Sequence, residues 1–193
     1  MNCEIILASS SPRRSELLKT LGVDFTIVNP NAEESQIENE TPEEFALRLA
    51  TEKALSVSVE MRSHCYVIGA DTIVVESGCI LGKPSQADEA RAMLYRISGK
   101  EHTVFTAFAI VNKSEVLHNE IVATSVRVKT LAAPEIEGYI KTTEPMDKAG
   151  AYGIQGVGSF MIESINGSYT NVVGLPVFEL LQSLTKLGVF KLF

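Results

Sequence analysis

The sequence has no long apolar run. Although 45% of its 193 residues are hydrophobic, no stretch approaches the roughly 20 residues that cross a bilayer, and no basic segment precedes the short apolar run near the N-terminus. A soluble, cytoplasmic protein is expected. It also lacks cysteine pairs: Cys3, Cys65 and Cys79 are odd in number and widely spaced, which excludes a disulfide framework and a zinc knuckle and predicts buried thiols in a reducing compartment. Positive charge is scarce, with 17 Lys and Arg against 24 Asp and Glu and a formal charge of −7. General nucleic-acid binding draws on basic surface and is therefore not expected. The three histidines, His64, His102 and His118, show no ligand spacing. There is no G-x-x-x-x-G-K-[ST] sequence, so an ordinary P-loop is excluded. No internal repeat, linker or low-complexity tract is present either, and the length suits one compact unit or two small lobes sharing a cleft.

What is there reads as alternating strands and helices. "CEIILA" is a buried strand, Ser11 an N-cap, Pro12 the first residue of a helix closed by Gly22, and "VDFTIV" a second strand. An acidic surface loop at 31–40 precedes "TPEE", a capping box of Thr41 and Glu44 that starts a helix to about Val59, with Phe45, Leu49 and Leu55 facing inward. A hairpin turning at "ESG" follows, then a helix capped by Ser85 with Asp88 and running to Ile97. Two long alternating strands, a short helix at 134–142, a glycine-rich loop at 144–159, a strand at 160–168 and a last helix at 175–188 complete the chain. The expected fold is α/β, a mixed twisted sheet with helices on its faces.

The chemistry concentrates at a few places. In "LASSSPRRSELL" a helix N-terminus offers free N–H groups, Ser9, Ser10 and Ser11 add hydroxyls, and Arg13 and Arg14 add guanidinium forks, a set suited to a polyphosphate. An ordinary helix start with two solvated arginines would look the same. Asp71 lies in the apolar segment "GADTIVV", where an unpaired carboxylate is expensive, so a metal, a water or turn amides should meet it. A carboxylate of ordinary acidity is a weak base at neutral pH, so a metal acidifying the water would share the work. Lys83 follows the hairpin, Lys53 sits on the second helix, and Glu33 with Glu34 could supply a metal ligand; all three are also compatible with solvated surface. "DKAGAYGIQG" combines three glycines with Asp147, Lys148, Tyr152 and Gln155, giving close backbone approach to a ligand and, in Gln155, a donor and acceptor for a base edge.

In order along the chain, "SSSPRR", "EKA" around Lys53, "GADT", "GKP", "DKAGAYGIQG" and "GSYTNVVGLP" closely resemble the Maf family of nucleotide pyrophosphatases over essentially the whole of residues 1–193. The resemblance implies one Maf-like domain, elongated and two-lobed with a central cleft, related in fold to the inosine triphosphate pyrophosphatase (Ham1) group. It implies hydrolysis of a nucleoside triphosphate between the α and β phosphates, giving monophosphate and pyrophosphate, with Mg²⁺ or Mn²⁺. Carried over by motif, Asp71 resembles the general base and a metal ligand, with Glu34 as the second ligand. Ser9, Arg13 and Arg14 resemble phosphate anchors, Lys53 and Lys83 further catalytic cations, and Lys148 a substrate contact. One branch of the family prefers dTTP and UTP and another 7-methyl-GTP. "SPRR", "ADT" and "IQG", at Arg14, Thr72 and Gln155, resemble the first. A homodimer is also implied. The other readings are a nucleotide-binding regulator of septum formation, a 7-methyl-GTP pyrophosphatase and a phosphatase of the terminal phosphate.

Overall fold

The computed structural model describes residues 4–61 and 65–191. The chain divides into two compact units, the first built from 1–71, 106–122 and 174–193 and the second from 72–105 and 123–173.

In the first unit, strand β1 (Glu4–Ala8) leads through Ser9–Ser11 into helix α1 (Pro12–Thr20), which ends before Gly22 at φ +68°. Strand β2 (Phe25–Val28) and the first residues of β3 (Cys65–Glu76) flank β1, both in parallel, with Leu7 opposite Ile27 and Ile68. Side chains alternate along a strand, and here both faces are covered. Ile5 and Leu7 pack with Leu18, Phe108 and Leu180, while Ile6 and Ala8 pack with Ala54 and Val57 of helix α2 (Pro42–Ser58). Thr41 and Glu44 form the expected capping box on α2: the Glu44 N–H donates to Thr41 Oγ1 at 3.2 Å, and the Thr41 N–H to Glu44 Oε2 at 2.9 Å. Its inner face is mostly small, with Ala46, Ala50 and Ala54 fully buried beside Phe45 and Leu49, and Leu55 is only partly buried. This lets α2 lie close on β3. A Cβ added at Gly69 would come within 2.3 Å of the Ala50 carbonyl oxygen.

The second unit holds the rest of β3, strand β4 (Cys79–Leu81), helices α3 (Ala87–Ile97), α4 (Ala133–Lys141) and α5 (Tyr169–Val173), and strand β7 (Ile162–Asn166). Ser77 at φ +50° and Gly78 at φ +75° turn β3 back into β4, the left-handed pair that a two-residue hairpin favours. Val74, Leu94, Ile97, Val126, Ile136, Tyr139 and Met161 are central to its core. Strands β5 (Glu101–Asn112) and β6 (Glu115–Val128), like β3, contribute to both units, and helix α6 (Val177–Lys186) closes the first. Strand order is β2-β1-β3-β5-β6-β7, with β4 paired to β3 off that path. With β1 parallel to its neighbours and β3/β4 and β6/β7 antiparallel, the sheet is mixed, as the sequence predicts.

Several local expectations change. Ser85 does not pair with Asp88: its N–H and hydroxyl both donate to Glu89 Oε2, at 2.7 and 2.8 Å, and Asp88 turns instead to Arg91. The glycine-rich loop is three 3-10 turns, Glu144–Asp147, Ala149–Ala151 and Gly156–Met161, the last of which shortens the following strand. Helix α5, only five residues long, leaves no helical signal in the sequence. Cys65 is buried as expected, whereas Cys79 is exposed at the hairpin, and Cys3 lies outside the described residues. Among the described residues no helix is long and apolar enough to cross a membrane.

Candidate active site

The groups of the first unit converge beyond the C-terminal end of β1. Ala8, its last residue, pairs with Gly69, so Asp71 stands two residues further along β3, beside the loop that carries Ser9 into α1. Because Gly69 admits α2, the helix brings Lys53, between Ala50 and Ala54, over Asp71. Lys53 Nζ donates to Asp71 Oδ1 at 2.6 Å and to Glu34 Oε1 at 2.5 Å. Lys53 and Asp71 are each 8% exposed, and Glu34 is exposed in the acidic loop. The cost of burying Asp71 is thus met by an ammonium, a partner the sequence did not assign to it.

Ser9 is buried, and its Oγ accepts from the Ser11 N–H and from Arg14 Nη1, each at 3.2 Å. Its own proton remains available to an acceptor. Arg14 Nε donates to the Gly174 carbonyl at 2.7 Å, which ties the first motif to the end of "GSYTNVVG". Burial lowers the Arg14 pKa, opposed by the charges of Asp71 and Glu34 and assisted by that of Arg13. Five charges are therefore close enough to feel one another, three cations against two carboxylates. The surplus is positive, and it lies at the start of a helix, where anions are favoured.

The second unit contains the remaining candidates. Thr72 follows Asp71 and is partly buried; Lys83 is exposed after β4. Lys148 Nζ donates to the Glu144 carbonyl at 2.8 Å and to Asp147 Oδ1 at 2.7 Å, and Gln155 is exposed. Tyr152, which the sequence offered to a ligand, is buried, with its hydroxyl 2.7 Å from His102 Nε2. Burial drives the His102 imidazole down to about 4, against the raising influence of Glu76 and Glu101, and raises the Tyr152 phenol. Both are neutral near pH 7, and the pair is a core contact.

The glycines of this segment also read differently in three dimensions. A Cβ at Gly156 would lie 2.7 Å from Glu144 Oε2, one at Gly158 2.6 Å from the Tyr139 hydroxyl, and one at Gly153 2.7 Å from Lys148 Cε. The close approach they permit is to the protein's own side chains. Glu144 Oε1 accepts from the Gly158 N–H at 3.0 Å and the Tyr139 hydroxyl at 2.9 Å, and Oε2 from the Val157 N–H at 2.9 Å. The Tyr139 oxygen accepts from the Gly153 N–H at 3.1 Å. Sequence reasoning missed Glu144; the signal was an acid opening a tract of glycines whose amides need an acceptor.

Residues 4–187 match the family described as Maf-like protein. A dTTP/UTP pyrophosphatase of Syntrophus aciditrophicus is 45% identical over 96% of this chain and 90% of its own length. Proteins of the same name are 47% identical in Clostridioides difficile (98% and 97% covered) and 48% in Symbiobacterium thermophilum (96% and 94%). In fold, the chain is similar to a HAM1 protein from Coxiella burnetii, with a TM-score of 0.52 and 14% identity over 95% of this chain and 98% of that one.

Proposed function

The chain belongs to the Maf family, and from that premise and the geometry above we propose that it is a nucleoside triphosphate pyrophosphatase acting on dTTP and UTP. The observation that carries the proposal is the buried Lys53 joining Asp71 and Glu34 beside the Ser9–Arg14 cradle. Relatives bearing the dTTP/UTP pyrophosphatase name, at 45% to 48% identity, support the choice of nucleotide.

In this reading Ser9, Arg13, Arg14 and the amides at the start of α1 bind phosphate oxygens, and Lys53 and Lys83 add charge compensation. Asp71 takes the proton of the water that attacks the α-phosphorus; the α–β bridging oxygen leaves with pyrophosphate, and the nucleoside monophosphate remains. Lys53, donating to Asp71 Oδ1, fixes the position of that carboxylate. Thr72, Lys148 and Gln155 are assigned to substrate contacts, with Gln155 reading the base.

A divalent ion fits the donor set. Glu34 and Asp71 are hard oxygen ligands that approach one point, Lys53 Nζ, to 2.5 and 2.6 Å. Among the described residues no group of three or more His, Cys, Asp or Glu could hold a metal, so phosphates and waters would complete the shell, as suits Mg²⁺ or Mn²⁺. Such an ion, when bound, supplies neutralisation of phosphate charge and acidification of water. Action of residues 1–193 as one domain, a homodimeric state and a cytoplasmic location belong to the same proposal and rest on the resemblance.

The test is product analysis with dTTP, UTP, CTP, dATP, GTP and 7-methyl-GTP, with Mg²⁺ or Mn²⁺, beside Asp71→Asn. Monophosphate and pyrophosphate from dTTP and UTP, lost in the variant, are expected. Turnover of 7-methyl-GTP alone would overturn the substrate assignment. Orthophosphate would indicate a terminal phosphatase, and intact nucleotides a binding or regulatory protein.

A further inference from the structure

A carboxamide is an ambiguous reader of pyrimidines. It presents a donor and an acceptor side by side, and a half-turn about its last bond exchanges them. Thymine and uracil offer a carbonyl acceptor beside an N–H donor, and cytosine offers the reverse. Gln155 is exposed, and none of the described residues bonds its side chain, so nothing in the free protein selects one orientation. Discrimination between these bases has to come from groups that cannot turn over, the backbone donors and acceptors around Gln155.

Those groups are held by two side chains. Three amides of the segment, at Gly153, Val157 and Gly158, are consumed by the Tyr139 hydroxyl and the Glu144 carboxylate. Tyr139 is 2% exposed in the core of the second unit, so the anchor is rigid. Gly156 lies against Glu144 at φ +72°, a conformation that residues with a side chain rarely adopt, and an added Cβ would displace the Glu144 carboxylate. Burial pushes the Glu144 pKa up, but the amides of Gly158 and Val157, the Tyr139 hydroxyl and the charge of Lys148 outweigh it and hold the carboxyl below its ordinary value. The acceptor is therefore ionised across the neutral range. Residues 154–156 project from a segment fixed at both ends.

We propose that Glu144, acting with the Tyr139 hydroxyl, is the positioning residue that sets base selectivity, by holding the backbone around Gln155 for thymine or uracil and against cytosine. The inference rests on the assignment of Gln155 to the base. Glu144→Gln keeps the shape but brings an amide donor against an N–H donor, which releases one end of the segment.

The experiment measures kcat and KM for dTTP, UTP and CTP, with inorganic triphosphate as a base-free inhibitor, in the wild type, Glu144→Gln, Tyr139→Phe and Gln155→Ala. In Glu144→Gln the dTTP-over-CTP preference should fall roughly tenfold or more, the scale of one hydrogen bond to a charged group. The loss should appear in KM, with kcat and triphosphate inhibition little changed, and Tyr139→Phe should move the same way by less. A folded Glu144→Gln with wild-type preference overturns the proposal, as does an equal loss for dTTP, CTP and triphosphate, which marks a merely structural role. Should Glu144→Gln not fold, wild-type preference in Tyr139→Phe overturns it instead. A wild type without preference overturns this inference, and a Gln155→Ala whose KM for dTTP, UTP and CTP is unchanged removes the assignment of Gln155 on which it rests.

Discussion

The two units hold their candidate residues by different means. In the first, charged side chains reach partners up to 160 residues away: Lys53 bridges Glu34 and Asp71, and Arg14 reaches the nearby Ser9 and the distant Gly174 carbonyl. In the second, a short stretch of backbone is held by two side chains at most 14 residues away, Glu144 and Tyr139. The first arrangement places charge and depends on the fold as a whole. The second places backbone and is nearly local. Damage to the first should therefore remove rate and stability together, and damage to the second should change which substrate is used.

The largest effect is expected where charge is lost from the buried cluster. Lys53→Met leaves Asp71 buried without its cation, which should cost about 3–5 kcal/mol of stability, read by denaturant unfolding, and abolish turnover. Unchanged stability would mean that water or another group serves Asp71. Asp71→Asn should fold and lower kcat by roughly 10²- to 10⁴-fold, the usual contribution of a general base. Gly69→Ala comes next: a methyl group against the Ala50 carbonyl should push α2 from β3 and cost about 1–3 kcal/mol, with a rise in KM or a fall in kcat as Lys53 moves. Loss of stability with full activity would separate the helix contact from the placement of Lys53.

A smaller effect isolates the second unit. Glu76 is buried, and hydrogen bonds from Arg96 and Ser77, with help from Lys100, bring its pKa down to about 2. A carboxyl depressed on folding contributes stability above its unfolded pKa and loses it as pH falls through the folded one. Between pH 5 and about 2 the wild type should therefore lose melting temperature more steeply than Glu76→Gln. Parallel curves would refute the assignment. The smallest effect concerns Cys79, which should react with a thiol reagent ahead of Cys65 without loss of activity.

The same contrast explains what was legible in the sequence. The strand-loop-helix from β1 to α1 and the Thr41 capping box are local signals, and the structure reproduces them. The strangeness of Asp71 in an apolar strand was visible too, but not its partner. Lys53 is 18 residues away, and only the contact of Gly69 with α2 brings it there. The glycine-rich segment stands out by composition but reads as loop, because successive 3-10 turns leave no periodic pattern of apolar residues. Cys79 was expected to be buried from residue type alone, whereas the tip of a two-residue hairpin has no core to bury it in.

The bond from Arg14 to Gly174 joins residues 160 apart in the sequence. A chain emerging from the ribosome presents these serines and arginines first, and the carbonyl that orients the guanidinium is made 160 residues later. The geometry of Arg14 is consequently completed late. A chain that stops before Gly174 carries the recognisable motif without the acceptor that orients the Arg14 guanidinium.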